Sequence, residues 1–142
     1  MLGVDLGDKR TGLAVGDRET GIVSPVGLIE QPMRGGDDGA ALVDAIIEAV
    51  RGFDAERVVV GLPMNMDGTE GQRAKLVREF GAGLDRALEE AGFEGVVYHD
   101  ERLTSVDADW AMSGSGLTHK QKKLRRDALA AVALLRDYMG LG

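Results

Sequence analysis

Three short apolar runs crowd the first thirty residues, Leu2–Leu6, Gly12–Gly16 and Ile22–Ile29, and the first two are joined only by Gly7-Asp8-Lys9-Arg10. So tight a turn has no room for a crossover helix, and the three runs are expected to pair as an antiparallel meander. After Gly35-Gly36-Asp37-Asp38 the period changes. Leu42, Ala45, Ile46, Ala49, Val50 and Phe53 recur at helical spacing, with Gly52 near the end. Arg57–Gly61 then reads as a buried strand. Thr69 with Gln72 makes a capping-box pattern ahead of a helix carrying Val77, Phe80, Leu84, Leu88 and Ala91, which Gly92 ends. Val96-Val97-Tyr98 is a fifth strand and Thr104–Met112 a short helix. A Gly/Ser loop follows, and Leu124–Met139 is a last helix with Leu124, Ala128, Ala131, Leu135 and Tyr138 on one face. The order βββαβαβαα predicts an α/β fold with a mixed sheet flanked by helices, neither barrel nor bundle.

A chain of 142 residues, 44% hydrophobic and without a long linker, repeat or low-complexity tract, fits one domain over 1–142. No apolar run is long enough to span a membrane, and Met1-Leu2-Gly3-Val4-Asp5 is not a signal-peptide start, so a cytoplasmic protein is expected. There is no cysteine, and His99 and His119 are the two histidines, so a metal would sit mainly in oxygen ligands, which suits Mg²⁺ or Mn²⁺. The formal charge of −7 weighs against a nucleic-acid partner. Phosphate binding needs local rather than total positive charge, however, and Lys120, Lys122, Lys123, Arg125 and Arg126 lie within seven residues.

Polar residues in apolar surroundings mark the candidate site. Asp5 stands inside the first strand, where an ionised carboxylate is costly without a cation or strong donors. Its bland alternative is a strand-end aspartate bonded to turn amides. His99-Asp100-Glu101-Arg102 directly follows the fifth strand, at the carboxyl end where ligands gather in parallel α/β arrangements; it reads equally as a solvated loop before a helix cap at Thr104. If the strand continues, Asp100 and Glu101 point to opposite sides. Asp127 lies near the apolar stripe of the last helix and also reads as that helix's N-cap. Three carboxylates on separate elements suit a pair of divalent ions flanking a scissile phosphate. The loop from Pro63 to Gly71 leads to a helix N-terminus that could hold a phosphate, with Asn65 and Thr69 on one wall and Met64 and Met66 free to pack or to touch bases.

The stretches Gly3-Val4-Asp5-Leu6-Gly7-Asp8-Lys9-Arg10-Thr11-Gly12, Gly61-Leu62-Pro63-Met64-Asn65-Met66-Asp67-Gly68-Thr69-Glu70-Gly71, Asp100-Glu101-Arg102-Leu103-Thr104 and Asp127-Ala128-Leu129-Ala130-Ala131 together resemble the YqgF family, in the family's order and over nearly the whole chain. The resemblance implies a ribonuclease H-like fold, with a mixed five-stranded sheet in order 3-2-1-4-5. It also implies an acidic nuclease site of Asp5, Glu101 and Asp127, which by the ligand chemistry above would hold Mg²⁺ or Mn²⁺, two ions in all, with Asp100 as a reserve ligand. Family members are linked to maturation of the 5′ end of 16S ribosomal RNA. The expected nucleic-acid contacts are Lys9, Arg10, Asn65, Thr69, Arg102, Lys120, Lys122, Lys123, Arg125 and Arg126, the last two standing where the family has a lysine-rich approach. Pre-rRNA is the expected substrate and a monomer or homodimer the expected state. A structure-specific DNA nuclease and a non-catalytic RNA- or ribosome-binding factor are the alternatives.

Overall fold

The computed structural model describes residues 1–34, 37, 39–101 and 128–141. Its elements are β1 (Leu2–Leu6), β2 (Thr11–Asp17), β3 (Ile22–Ile29), α1 (Ala40–Gly52), β4 (Val58–Leu62), α2 (Gln72–Glu90), β5 (Val96–Asp100) and α3 (Leu129–Tyr138). The expected helix Thr104–Met112, the Gly/Ser loop and the Leu124 start of the last helix lie outside the described residues.

The five strands form one sheet in the order β3-β2-β1-β4-β5. The short Gly7–Arg10 connection folds β2 back antiparallel on β1, pairing Leu6 with Thr11, and β3 returns antiparallel on β2. Helical crossovers make β1, β4 and β5 parallel, with Val4 beside Val60 and Leu62 beside Asp100. The carboxyl ends of three strands therefore emerge on one edge.

Strand alternation divides the core. Leu2, Val4, Leu6, Val58, Val60 and Leu62 pack against Leu42, Ile46 and Val50 of α1 and Val77, Leu84 and Leu88 of α2. On the other face Ala14, Val23 and Val59 meet Ala131, Val132, Leu134 and Leu135 of α3. That second contact is close because the sheet offers glycines. A Cβ on Gly3 would lie 2.6 Å from Leu135 Cγ, and one on Gly16 2.8 Å from Met139 Sδ. Thr11 is fully buried, and among the described residues its Oγ1 has no hydrogen-bond partner.

Two boundaries depart from the sequence reading. Thr69 and Gln72 do not form a capping box: α2 is capped by Gly71 without a side-chain bond. Thr69 is held elsewhere, its Oγ1 donating to Asp67 Oδ1 at 2.6 Å and accepting from Asn65 Nδ2 at 3.0 Å. The short Asp67 side chain outcompetes the more distant helix amide. β5 also runs on to Asp100 rather than stopping at Tyr98, because its ladder with β4 continues through Gly61–His99 and Leu62–Asp100. The N-cap residue of α1 is Gly39, and from two residues before it the Asp37 carboxylate accepts from the Gly39 N–H at 3.1 Å and from the first-turn Ala41 N–H at 3.0 Å.

Candidate active site

Asp5 on β1, Gly61 on β4 and Glu101 just beyond β5 follow the same side of the sheet, the side that α3 covers. The Asp5 and Glu101 side chains are hydrogen-bonded to each other. Gly61 makes their meeting possible: a Cβ there would collide with the Glu101 carboxylate, and Leu134 Cδ2 already lies 3.3 Å from that position. A strand glycine that admits close approach is a recurrent device, and here it admits a side chain across the β4–β5 boundary.

Burial raises the pKa of Asp5, partly offset by its bond to Glu101 and by the charge of Arg73. Glu101 is pushed up to about 7, first by burial, then by the charge of Asp5 and the bond between them. Both carboxyl groups are thus biased toward the protonated form, since two adjacent, half-buried carboxylates resist joint ionisation. A divalent cation would remove that conflict, and the donors are the hard oxygens that Mg²⁺ and Mn²⁺ prefer. The two carboxylates fit such an ion. Among the described residues no group of three or more potential ligands is assembled.

Asp127, the third expected carboxylate, lies outside the described residues. Its neighbour Ala128 is fully buried and caps α3. Met139 packs at Gly16 while Ala131 and Leu135 pack at Gly3, so the start of α3 points to the edge where Asp5 stands. Asp100, on the opposite side of β5, raises the Glu101 pKa through its charge. His99 does not join the carboxylates. Its Nε2 is 2.6 Å from Asp137 Oδ2 and its ring meets Tyr138 edge-on, which fastens β5 to α3. Tyr138 in turn accepts a 3.0 Å bond from Arg57.

The expected nucleic-acid contacts divide in the same way. Lys9 and Arg10 are exposed on the turn after β1, and Asn65 and Thr69 are exposed on the loop after β4, on the edge that carries Asp5 and Glu101. Asn65 N donates to Thr69 O at 2.8 Å and Gly68 N to Asn65 O at 2.9 Å, so this loop is closed on itself. Met64 packs against the core, whereas Met66 is 87% exposed at the loop tip. Arg102, Lys120, Lys122, Lys123, Arg125 and Arg126 lie outside the described residues. Two residues at the site escaped the sequence reading. Gly61 was legible as a glycine inside a valine strand; Arg73, at the start of α2, gave no local signal.

A family model described as RuvX: Holliday junction resolvase matches residues 1–140. The chain belongs to the RuvX family. RuvX, also called YqgF, is thus the family that the four sequence stretches resemble. Two curated relatives carry the name "Putative pre-16S rRNA nuclease". The one from Rhodospirillum centenum is 38% identical over 96% of this chain and 70% of its own length. That from Lactococcus lactis subsp. lactis is 36% identical over 98% of this chain and 92% of its own. Among solved structures, Thermus thermophilus RuvC in complex with Holliday junction substrate aligns with a TM-score of 0.57 at 15% identity, covering 99% of this chain and 94% of that one. The RuvX chain therefore has the ribonuclease H-like fold of the resolvases, with the sheet order expected for it.

Proposed function

We propose that this chain is a metal-dependent nuclease that hydrolyses phosphodiester bonds, acting in the cytoplasm at the 5′ end of precursor 16S ribosomal RNA. It works as one domain over 1–142, as a monomer or homodimer. The observation that carries this reading is the half-buried Asp5–Glu101 pair, admitted by Gly61 at the carboxyl edge of three parallel strands. The nuclease and rRNA-processing roles are supported by the family and by the names of its curated members.

Asp5, Glu101 and Asp127 would hold the metal, with Asp100 in reserve. When bound, a pair of Mg²⁺ or Mn²⁺ ions supplies Lewis-acid stabilisation of phosphoryl oxygens and a water acidic enough to attack. The chain supplies the rest. Glu101 would offer its carboxylate as a ligand in its deprotonated form. Lys9, Arg10, Arg102 and the cations of the 120–126 run hold the phosphate backbone. The self-bonded 65–69 loop, with Asn65 and Thr69, walls the site beside the start of α2.

Purified protein with Mg²⁺ or Mn²⁺ is to be set against matched precursor RNA, single-stranded DNA and a four-way DNA junction. Cleavage of the RNA is expected, with Asp5→Asn abolishing it while binding in Ca²⁺ survives. Asp5→Asn cutting as fast as wild type would overturn the assignment of the site, and wild type that binds these nucleic acids but cuts none of them would be a binding factor. A second reading, cleavage of four-way junctions, is favoured by the family's description; cleavage of the junction without the RNA would establish it.

A further inference from the structure

Arg73 is the second residue of α2, where a cation opposes the helix dipole, and no acidic residue stands in that first turn to offset it. Its NH1 donates to Asp8 Oδ1 at 2.9 Å and its NH2 to the Leu6 carbonyl at 3.0 Å. Leu6 directly follows Asp5, so these two bonds fix the guanidinium beside the carboxylate pair. Its charge lowers the pKa of both Asp5 and Glu101. Stability alone is a poor reason for this placement, because the Asp8 side chain is 74% exposed and such surface pairs contribute little.

We propose that Arg73 contacts the substrate phosphate at this active site, an inference that rests on the nuclease reading above. Two of its five N–H donors are engaged among the described residues, and its side chain is 44% exposed. Asp8 and Leu6 hold the planar fork from one side, leaving donors for a non-bridging phosphate oxygen. A guanidinium suits that task better than an ammonium, since it can accept the geometric constraint and still present paired donors. The carboxylates hold metal, and Arg73 receives the anion that the metal alone would otherwise have to orient.

The test is a binding cycle in Ca²⁺, where cleavage does not intervene. The probe is an RNA spanning the precursor 16S 5′ junction, together with a series in which each phosphate in turn is a neutral methylphosphonate. Arg73→Gln should weaken binding about tenfold and make the salt slope less steep by about 0.7, the loss of one phosphate contact on a single strand. One methylphosphonate should weaken wild type by a similar factor while changing Arg73→Gln less than twofold. Arg73→Lys should regain the salt slope. Asp8→Asn, which removes the ion pair but leaves Arg73, should bind at least as tightly as wild type. If wild type and Arg73→Gln respond alike to every methylphosphonate, or if Asp8→Asn reproduces Arg73→Gln, Arg73 only ties α2 to β1 and the proposal fails. Absence of cleavage by wild type in Mn²⁺ would instead sink the nuclease reading, and the cycle would still measure the phosphate contact.

Discussion

Glu101 reaches Asp5 across a space that any side chain at position 61 would fill, so the smallest possible change there should act on chemistry before it acts on folding. Gly61→Ala places a methyl group against the Glu101 carboxylate. It is expected to keep its circular dichroism spectrum yet bind Mn²⁺ at least about tenfold more weakly, the usual scale for disturbing the support of a ligand. Titration followed by calorimetry reads this, and undiminished affinity would show that Glu101 has another route to the metal. The same carboxyl sets a pH dependence. Its pKa rises from 4.5 unfolded to about 7 folded, so the folded metal-free protein binds more protons between those values. That contribution to stability is complete below 4.5 and is lost as pH rises through 7. Thermal melts in chelator should therefore fall over this window, and Glu101→Gln should flatten the fall. An unchanged slope in that variant would place the burden on another group. Asp5 and Glu101 were visible in the sequence as charges where an apolar strand should continue. Their partnership was legible only through the family resemblance, because it depends on a register between β4 and β5 that local pattern does not encode.

At the level of elements, the sequence was clearest where periodicity was strong. The three-strand opening, α1 and α2 followed from alternation and from the Leu42–Ile46–Val50 and Val77–Leu84–Leu88 spacings, since each stripe buries one face against the sheet. The helix starts were less legible, because several short polar residues compete for the same amides. Asp37 won at α1, while Thr69 was drawn into its own loop by Asp67 and Asn65. Asp37→Ala should accordingly lower unfolding free energy by about 1 kcal/mol, the common cost of losing a cap. Thr69→Ala should leave the amides at the start of α2 as protected as before, with faster exchange confined to residues 65–69. Urea titration and amide hydrogen exchange distinguish the two, and loss of protection through the first turn of α2 would restore Thr69 as its cap.

Across the molecule, one acidic cluster among the described residues stands at the end opposite the candidate site. A cleft of about 640 Å³ at the far edge of the sheet is lined by Asp17, Glu19, Asp54 and Glu56, away from Asp5, Lys9 and Arg10. With Arg18 as the one basic side chain in that lining, this acidic cluster lies where it can turn a polyanionic partner toward the other end. Thr11 has a consequence of a different kind. A hydroxyl sealed in the core without a partner costs roughly 1–3 kcal/mol of desolvation, and valine has nearly its shape. Thr11→Val should raise the melting temperature by several degrees, measured by calorimetry; a lower one would reveal a hidden partner for the hydroxyl. Variants that loosen the catalytic edge could be carried on that sturdier background, so that a lost activity would not be mistaken for a lost fold.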